Sequence, residues 1–128
     1  MNEKKYTSKQ YLEHIIKEMK FLENTAKDMT FEDFIKNEEK QKAVVWSLFM
    51  ISDSVKEITR REKDIEAKYP YIEWKNIYRF RDFVGHHYLG INKEVIWDVV
   101  KKDIPKDRIS FETVYKHMYK VKDRGFDR

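Results

Sequence analysis

Residues 44–58 read VVWSLFMISDSVKEI, and within them Val44, Leu48, Ile51, Val55 and Ile58 step by four, three, four and three. An α-helix turns once in about 3.6 residues, so this spacing draws one apolar seam down one helix face, where a strand would alternate by two. Asn37 stands where a helix N-cap belongs, and from Glu38 into the sixties the chain has no proline or glycine. A long helix with one apolar seam is built to pack in a bundle or against a second copy.

The neighbouring segments carry the same periodicity. Thr7 and Gln10 have capping-box spacing, and Leu12, Ile15, Ile16, Met19, Leu22 and Ala26 form the stripe of a helix that starts near Ser8. Asp28-Met29-Thr30 ends it, and Thr30 caps a short helix through Phe31, Phe34 and Ile35. Tyr69-Pro70 stops the long third helix, because proline cannot continue one and pushes its predecessor out of the α region. A further helix starts near Trp74, with Trp74, Ile77, position 81, Val84 and position 88 facing inward. Asn92 caps the next, whose apolar face is Val95, Ile96, Val99 and Val100, before Ile104-Pro105 stops it. Ser110 opens the last, with Phe111, Val114, Tyr115, Met118 and Val121 inward, and Trp46, Trp74 and Trp97 read as core.

Composition agrees with this all-α reading. With 3 glycines and 2 prolines in 128 residues the chain has little material for the tight turns of a β fold, and its 39% charged residues suit solvated helix faces. The expectation is one domain over 1–128, a helical bundle of about five to six helices with its core over about 8–121 and a frayed tail at 122–128. Cysteine is absent, which fits a reducing compartment and leaves no thiolate metal site. Neither a signal peptide nor a membrane span is expected, so the expected location is cytoplasmic. A net charge of +4, from 27 basic and 23 acidic residues, is too slight an excess to predict a nucleic-acid partner.

One octapeptide departs from bundle logic. Residues 81–88 read RDFVGHHY and put a guanidinium, Arg81, on an otherwise apolar stripe. It must pair with an acid, face a cleft or meet a partner subunit; Asp82 and Asp53 are the candidate acids. Gly85 allows the chain to leave the helix, and in an extended stretch His86 and Tyr88 would point together toward Arg81 while His87 points away. Histidine exchanges protons near neutral pH and arginine holds phosphate, a combination suited to phosphodiester cleavage. RNA supplies its own 2′-OH nucleophile, and His14 and His117 lack ligand spacing, so no metal and no cofactor is expected. Lys75 and Arg79 could guide RNA electrostatically or simply solvate a helix face.

With Arg81, four residues, His86, any residue and Tyr88, the chain resembles the HepT-like toxins of the HEPN superfamily, whose signature has this spacing. Asp82 fills the polar position that often follows the arginine. The likeness extends over about residues 8–105: the opening helix, a short S-F-E-x-F-type helix, the long third helix, a P-x-I-x-W-type lead-in at residues 70–74, and a G-I/V-D-type turn at Gly90-Ile91-Asn92. Two departures stand out. Ser52-Asp53-Ser54 replaces Gly-Glu-Ala, keeping a shortened acid, and KDRISFETVYKHMYKVKDRGFDR replaces a leucine-rich last helix.

The resemblance implies a dimerising up-and-down bundle acting as the toxin of a type VII-like toxin–antitoxin pair, a metal-independent ribonuclease. Its partner would be a MntA-like nucleotidyltransferase antitoxin that moves AMP from ATP to Tyr88. Arg81 and His86 would be catalytic, with Asp82, Asp53 and His87 supporting. Two other readings stay open: a non-catalytic HEPN subunit that binds nucleotide phosphate and regulates a nucleotidyltransferase, and a helical dimerisation protein whose Arg81–Asp53 pair is structural.

Overall fold

A computed structural model describes residues 5–120, the side chains of residues 85–88 and 120 excepted. Every regular element among them is helical: α1 (Ser8–Ala26), α2 (Phe31–Lys36), α3 (Glu38–Arg61), α4 (Ile65–Lys68), α5 (Trp74–His87), α6 (Lys93–Asp98) and α7 (Ile104–Tyr115). A 3-10 turn, Tyr88–Gly90, follows α5, and π-helical stretches, Val99–Asp103 and Lys116–Lys120, follow α6 and α7.

The helix starts form where local chemistry places them. Gln10 N donates to Thr7 Oγ1 at 3.1 Å and Thr7 N to Gln10 Oε1 at 2.9 Å, a reciprocal cap that satisfies two amides of the first turn. Thr30 and Asp33 repeat the device at α2, and those hydrogen bonds hold the Asp33 carboxyl below its ordinary range. Asn37 caps α3 through Lys40 N, and Asn92 caps α6 through Glu94 N and Val95 N.

Helix α3 lies between α1 and α5, and α1 also packs on α7. Cross-helix bonds step in opposite directions along α1 and α3, from Ser8–Glu62 through His14–Ser54 to Glu18–Ser47, so the two run antiparallel. Glu13–Tyr115, Lys20–Glu112 and Glu23–Arg108 give the same sense to α1 and α7. The core fills the space between them, with Leu12, Ile15, Met19 and Leu22 of α1, the α3 seam, and Phe111 and Val114 of α7 in one buried cluster. Trp97 stacks on Phe34 at 4.9 Å between centroids, and Trp74 meets Phe111 edge-on at 5.3 Å. No helix among the described residues is long and apolar enough to cross a membrane.

Four expectations need correction. Pro105 does not stop a helix: α6, the π stretch and α7 run on from Lys93 to Tyr115, and Ser110 lies inside α7. Proline falls in the first turn of α7, just where bonding changes register with Ile104 N–H reaching Val99 O, so its missing donor interrupts little. Gly85 does not break α5, whose backbone stays helical to His87. Glycine permits a departure from helix at a cost of only about 1 kcal/mol for staying, and here the helix prevails. Trp46 is 58% exposed, while Trp74 and Trp97 are buried. Val95 is 56% exposed, leaving Ile96, Trp97 and Val100 buried and Val99 partly buried against the core. Position 121 and the tail lie outside the described residues.

Candidate functional site

Arg81 reaches across from α5 to α3, where Asp53 and Phe49 stand one turn apart on the same face. Its Nε lies 2.8 Å from Asp53 Oδ1 and its Nη1 3.7 Å from Asp82 Oδ1. The guanidinium carbon sits 6.0 Å from the centre of the Phe49 ring. The short Nε contact is a charge contact and not an aligned hydrogen bond, because the Nε–H does not point along it. Both acids proposed from the sequence therefore meet Arg81, and the shortened Asp53 does reach it.

Burial limits what this pair contributes to the fold. The Arg81 side chain is 41% exposed and Asp53 56%, so the stripe that begins with buried Trp74 opens to solvent at position 81. An ion pair this exposed contributes about 0–1 kcal/mol to stability. A phosphate offering charge-assisted hydrogen bonds competes well with a partner held that weakly. His86, His87 and Tyr88 follow on the end of α5 and the 3-10 turn after it. Their side chains, and so their approach to Arg81, lie outside the described residues.

Tertiary packing adds groups that sequence spacing missed. On α1, His14 has Nδ1 3.3 Å from Ser54 Oγ and Nε2 3.4 Å from Glu18 Oε2, and Glu18 accepts from Ser47 at 2.8 Å. Ser54 adjoins Asp53, so a second imidazole is fixed on the side of α3 away from α5. No short-range pattern links residues 14 and 54. Beside them opens a groove of about 480 Å³ between α1 and α3, lined in part by Tyr11, His14, Trp46, Phe49, Asp53 and Ser54. Trp46 had a sequence signal after all. It lies about 200° around the helix from Val44, opposite the seam, and Phe49, Met50 and Asp53 continue its row at three, four and seven residues.

A second cavity, about 250 Å³, lies among α1, α3, α5 and α7, with Glu73, Asp103, Lys106 and Asp107 among its lining. Burial pushes the Asp107 carboxyl up to about 6, and Asp103 and Glu73 push the same way against Lys106. The raised pKa means that the folded state keeps a proton the unfolded chain has lost. Stability contributed by this group is present below about pH 4 and is lost as pH rises toward about 6. Asp107→Asn is expected to flatten that segment of the melting-temperature profile. At pH 7 it should add about 1 kcal/mol, a value reduced for partial exposure, as read by thermal melts from about pH 4 to 7.5.

Among the described residues no cluster of three or more histidine, aspartate or glutamate side chains is placed to hold a metal ion.

The chain matches the ribonuclease HepT-like family over residues 15–114. It is 41% identical over 106 residues to a provisionally named RNase of Methanocaldococcus jannaschii, covering 83% of this chain and 85% of the relative. It is 38% identical over 100 residues to a provisionally named RNase of Caldanaerobacter subterraneus subsp. tengcongensis, covering 78% and 87%. A provisionally named ribonuclease HepT of Thermococcus cleftensis is 34% identical over 112 residues, covering 88% and 99%. No solved structure gives a significant match. The helical bundle and these matches over most of the chain's length make it a member of the ribonuclease HepT-like family.

Proposed function

We propose that this protein is a metal-independent endoribonuclease, the toxin of a type VII-like HEPN/nucleotidyltransferase pair. The observation that carries the reading is Arg81: a half-exposed guanidinium, oriented by two acids that hold it only weakly, in a family named for ribonuclease activity. Arg81 binds the scissile phosphate and offsets charge building on its oxygens. The 2′-OH of the preceding ribose attacks phosphorus, the bond to the 5′-oxygen breaks, and the products are a 2′,3′-cyclic phosphate and a 5′-OH. His86 serves the proton transfers, since imidazole gives and takes protons near neutral pH. No external nucleophile is required, and so no metal is needed to activate one.

Regulation falls to Tyr88. A MntA-like antitoxin moves AMP from ATP to its hydroxyl, and the added phosphate places bulk and negative charge beside a site that binds phosphate. Two copies related by a two-fold axis would set two signature segments along one cleft, which suits a substrate that is a strand. The test incubates protein unmodified at Tyr88, by mass, with cellular RNA in EDTA beside His86→Ala and Arg81→Ala. Cleavage by wild type alone, leaving cyclic phosphate ends, is the expected result. Absent or equal cleavage moves the site to the alternative role, nucleotide binding in a regulatory subunit of a nucleotidyltransferase.

A further inference from the structure

Trp46 and Phe49 form a stacked pair on the outer face of α3, ring centroids 5.3 Å apart and planes 14° from parallel. A tryptophan 58% exposed is unusual in a small core-forming domain, where aromatic surface is normally removed from water. Its surroundings are not a plain apolar patch. Polar groups, His14, Asp53 and Ser54, line the same groove, and two of its aromatic residues, Phe49 and Tyr11, each face a guanidinium. Arg81 lies over Phe49, while Arg61 lies 5.0 Å from the Tyr11 ring centre.

We infer that this groove is a nucleobase subsite of the RNA strand, with a base stacked on the Trp46–Phe49 pair while Arg81 holds the adjoining phosphate. The inference rests on the ribonuclease reading and extends it from the cleaved bond to its neighbour. Three features favour this occupant. Exposed flat rings accept any base through its π face. The polar side chains that line the groove include donors and acceptors that a base edge can meet. Phe49 lies under the phosphate-binding guanidinium itself, so base and backbone sites are continuous. A purely hydrophobic partner would leave Asp53 and Arg81 covered without gain.

The probe is a fluorescein-labelled RNA hexamer with 2′-fluoro sugars, which cannot cleave, and a matching hexamer with abasic positions, titrated in EDTA against the full chain. Wild type is expected to bind the base-bearing strand more tightly than the abasic one and to lose tryptophan fluorescence as it binds. Trp46→Ala should weaken the base-bearing strand roughly five- to hundredfold, leave the abasic strand unchanged, and be largely rescued by Trp46→Phe. Being exposed, the site tolerates alanine without unfolding. Arg81→Ala should weaken both strands. If Trp46→Ala binds both strands as wild type does while Arg81→Ala still weakens them, the base subsite is wrong and the phosphate clamp stands. Should neither substitution change binding, or no strand bind, the ribonuclease reading fails and takes the subsite with it. A shift of Trp46→Ala toward monomer in sedimentation, with the preference for bases intact, would make this face a contact between copies and overturn the proposal.

Discussion

His86→Ala is expected to slow RNA cleavage by roughly 10²- to 10⁴-fold, the usual contribution of a positioned proton-transfer group. Arg81→Ala should cost roughly 10²- to 10³-fold, because it removes charge aimed at the oxygens that become more negative in the transition state. The two losses should combine to less than their product, since residues acting on one step are not additive. Arg81→Lys separates the roles of charge and shape. A lysine keeps the charge but not the planar fork that faces Asp53 and Asp82, so only partial activity should return. Stability should barely change in any Arg81 variant, as the exposed pair contributes about 0–1 kcal/mol. The measurement is initial cleavage rate in EDTA on preparations whose melting temperatures agree. A His86→Ala protein as fast as wild type would remove imidazole from the mechanism.

The largest effect on folding is expected at Phe111. This side chain is fully buried and meets the edge of Trp74, the first residue of α5, at a ring separation of 5.3 Å. Truncation to alanine loses the transfer free energy of the ring and leaves a cavity that close-packed neighbours fill only in part. The expected cost is about 3–5 kcal/mol, a large share of the roughly 5–15 kcal/mol available to a small domain. Urea unfolding should show a lower midpoint with an unchanged slope. Phe21→Ala, at a position 43% exposed on α1, is the control and should stay within about 0.5 kcal/mol. Phe111 lies near the end of the region that matches the family, residues 15–114, so the result also reads how firmly that end is built into the bundle. Because Trp74 begins the helix that carries Arg81, loss of this contact should loosen the site as well as the core.

The sequence by itself determined what depends on neighbours a few residues apart. Thr7, Thr30, Asn37 and Asn92 cap helices because their oxygens reach amides two or three positions on, and that geometry is the same in any fold. The seam from Val44 to Ile58 is buried at every step because one helical period fixes one face. The signature spacing from Arg81 to Tyr88 likewise needed no structure to be seen. Local rules misled where two of them competed. Pro105 was expected to stop a helix, but a π stretch ahead of it had already changed the bonding register; Gly85 could leave the helix, but nothing required it to. Trp46 reads as core because it lies within an apolar run, although its position on the helical wheel puts it outside.

Only the tertiary structure decided which groups from distant segments share a site. Asp53 and Asp82 were equal candidates for Arg81 until the packing of α5 on α3 brought Asp53 to 2.8 Å and left Asp82 at 3.7 Å. It likewise placed His14 against Ser54 across 40 residues of chain, beside an aromatic groove on α3. The reason is that helical periodicity fixes which face a residue occupies but not which helix will lie against that face. That choice is made by the summed burial of whole seams, and isolated polar residues such as Arg81 and His14 go where those seams carry them.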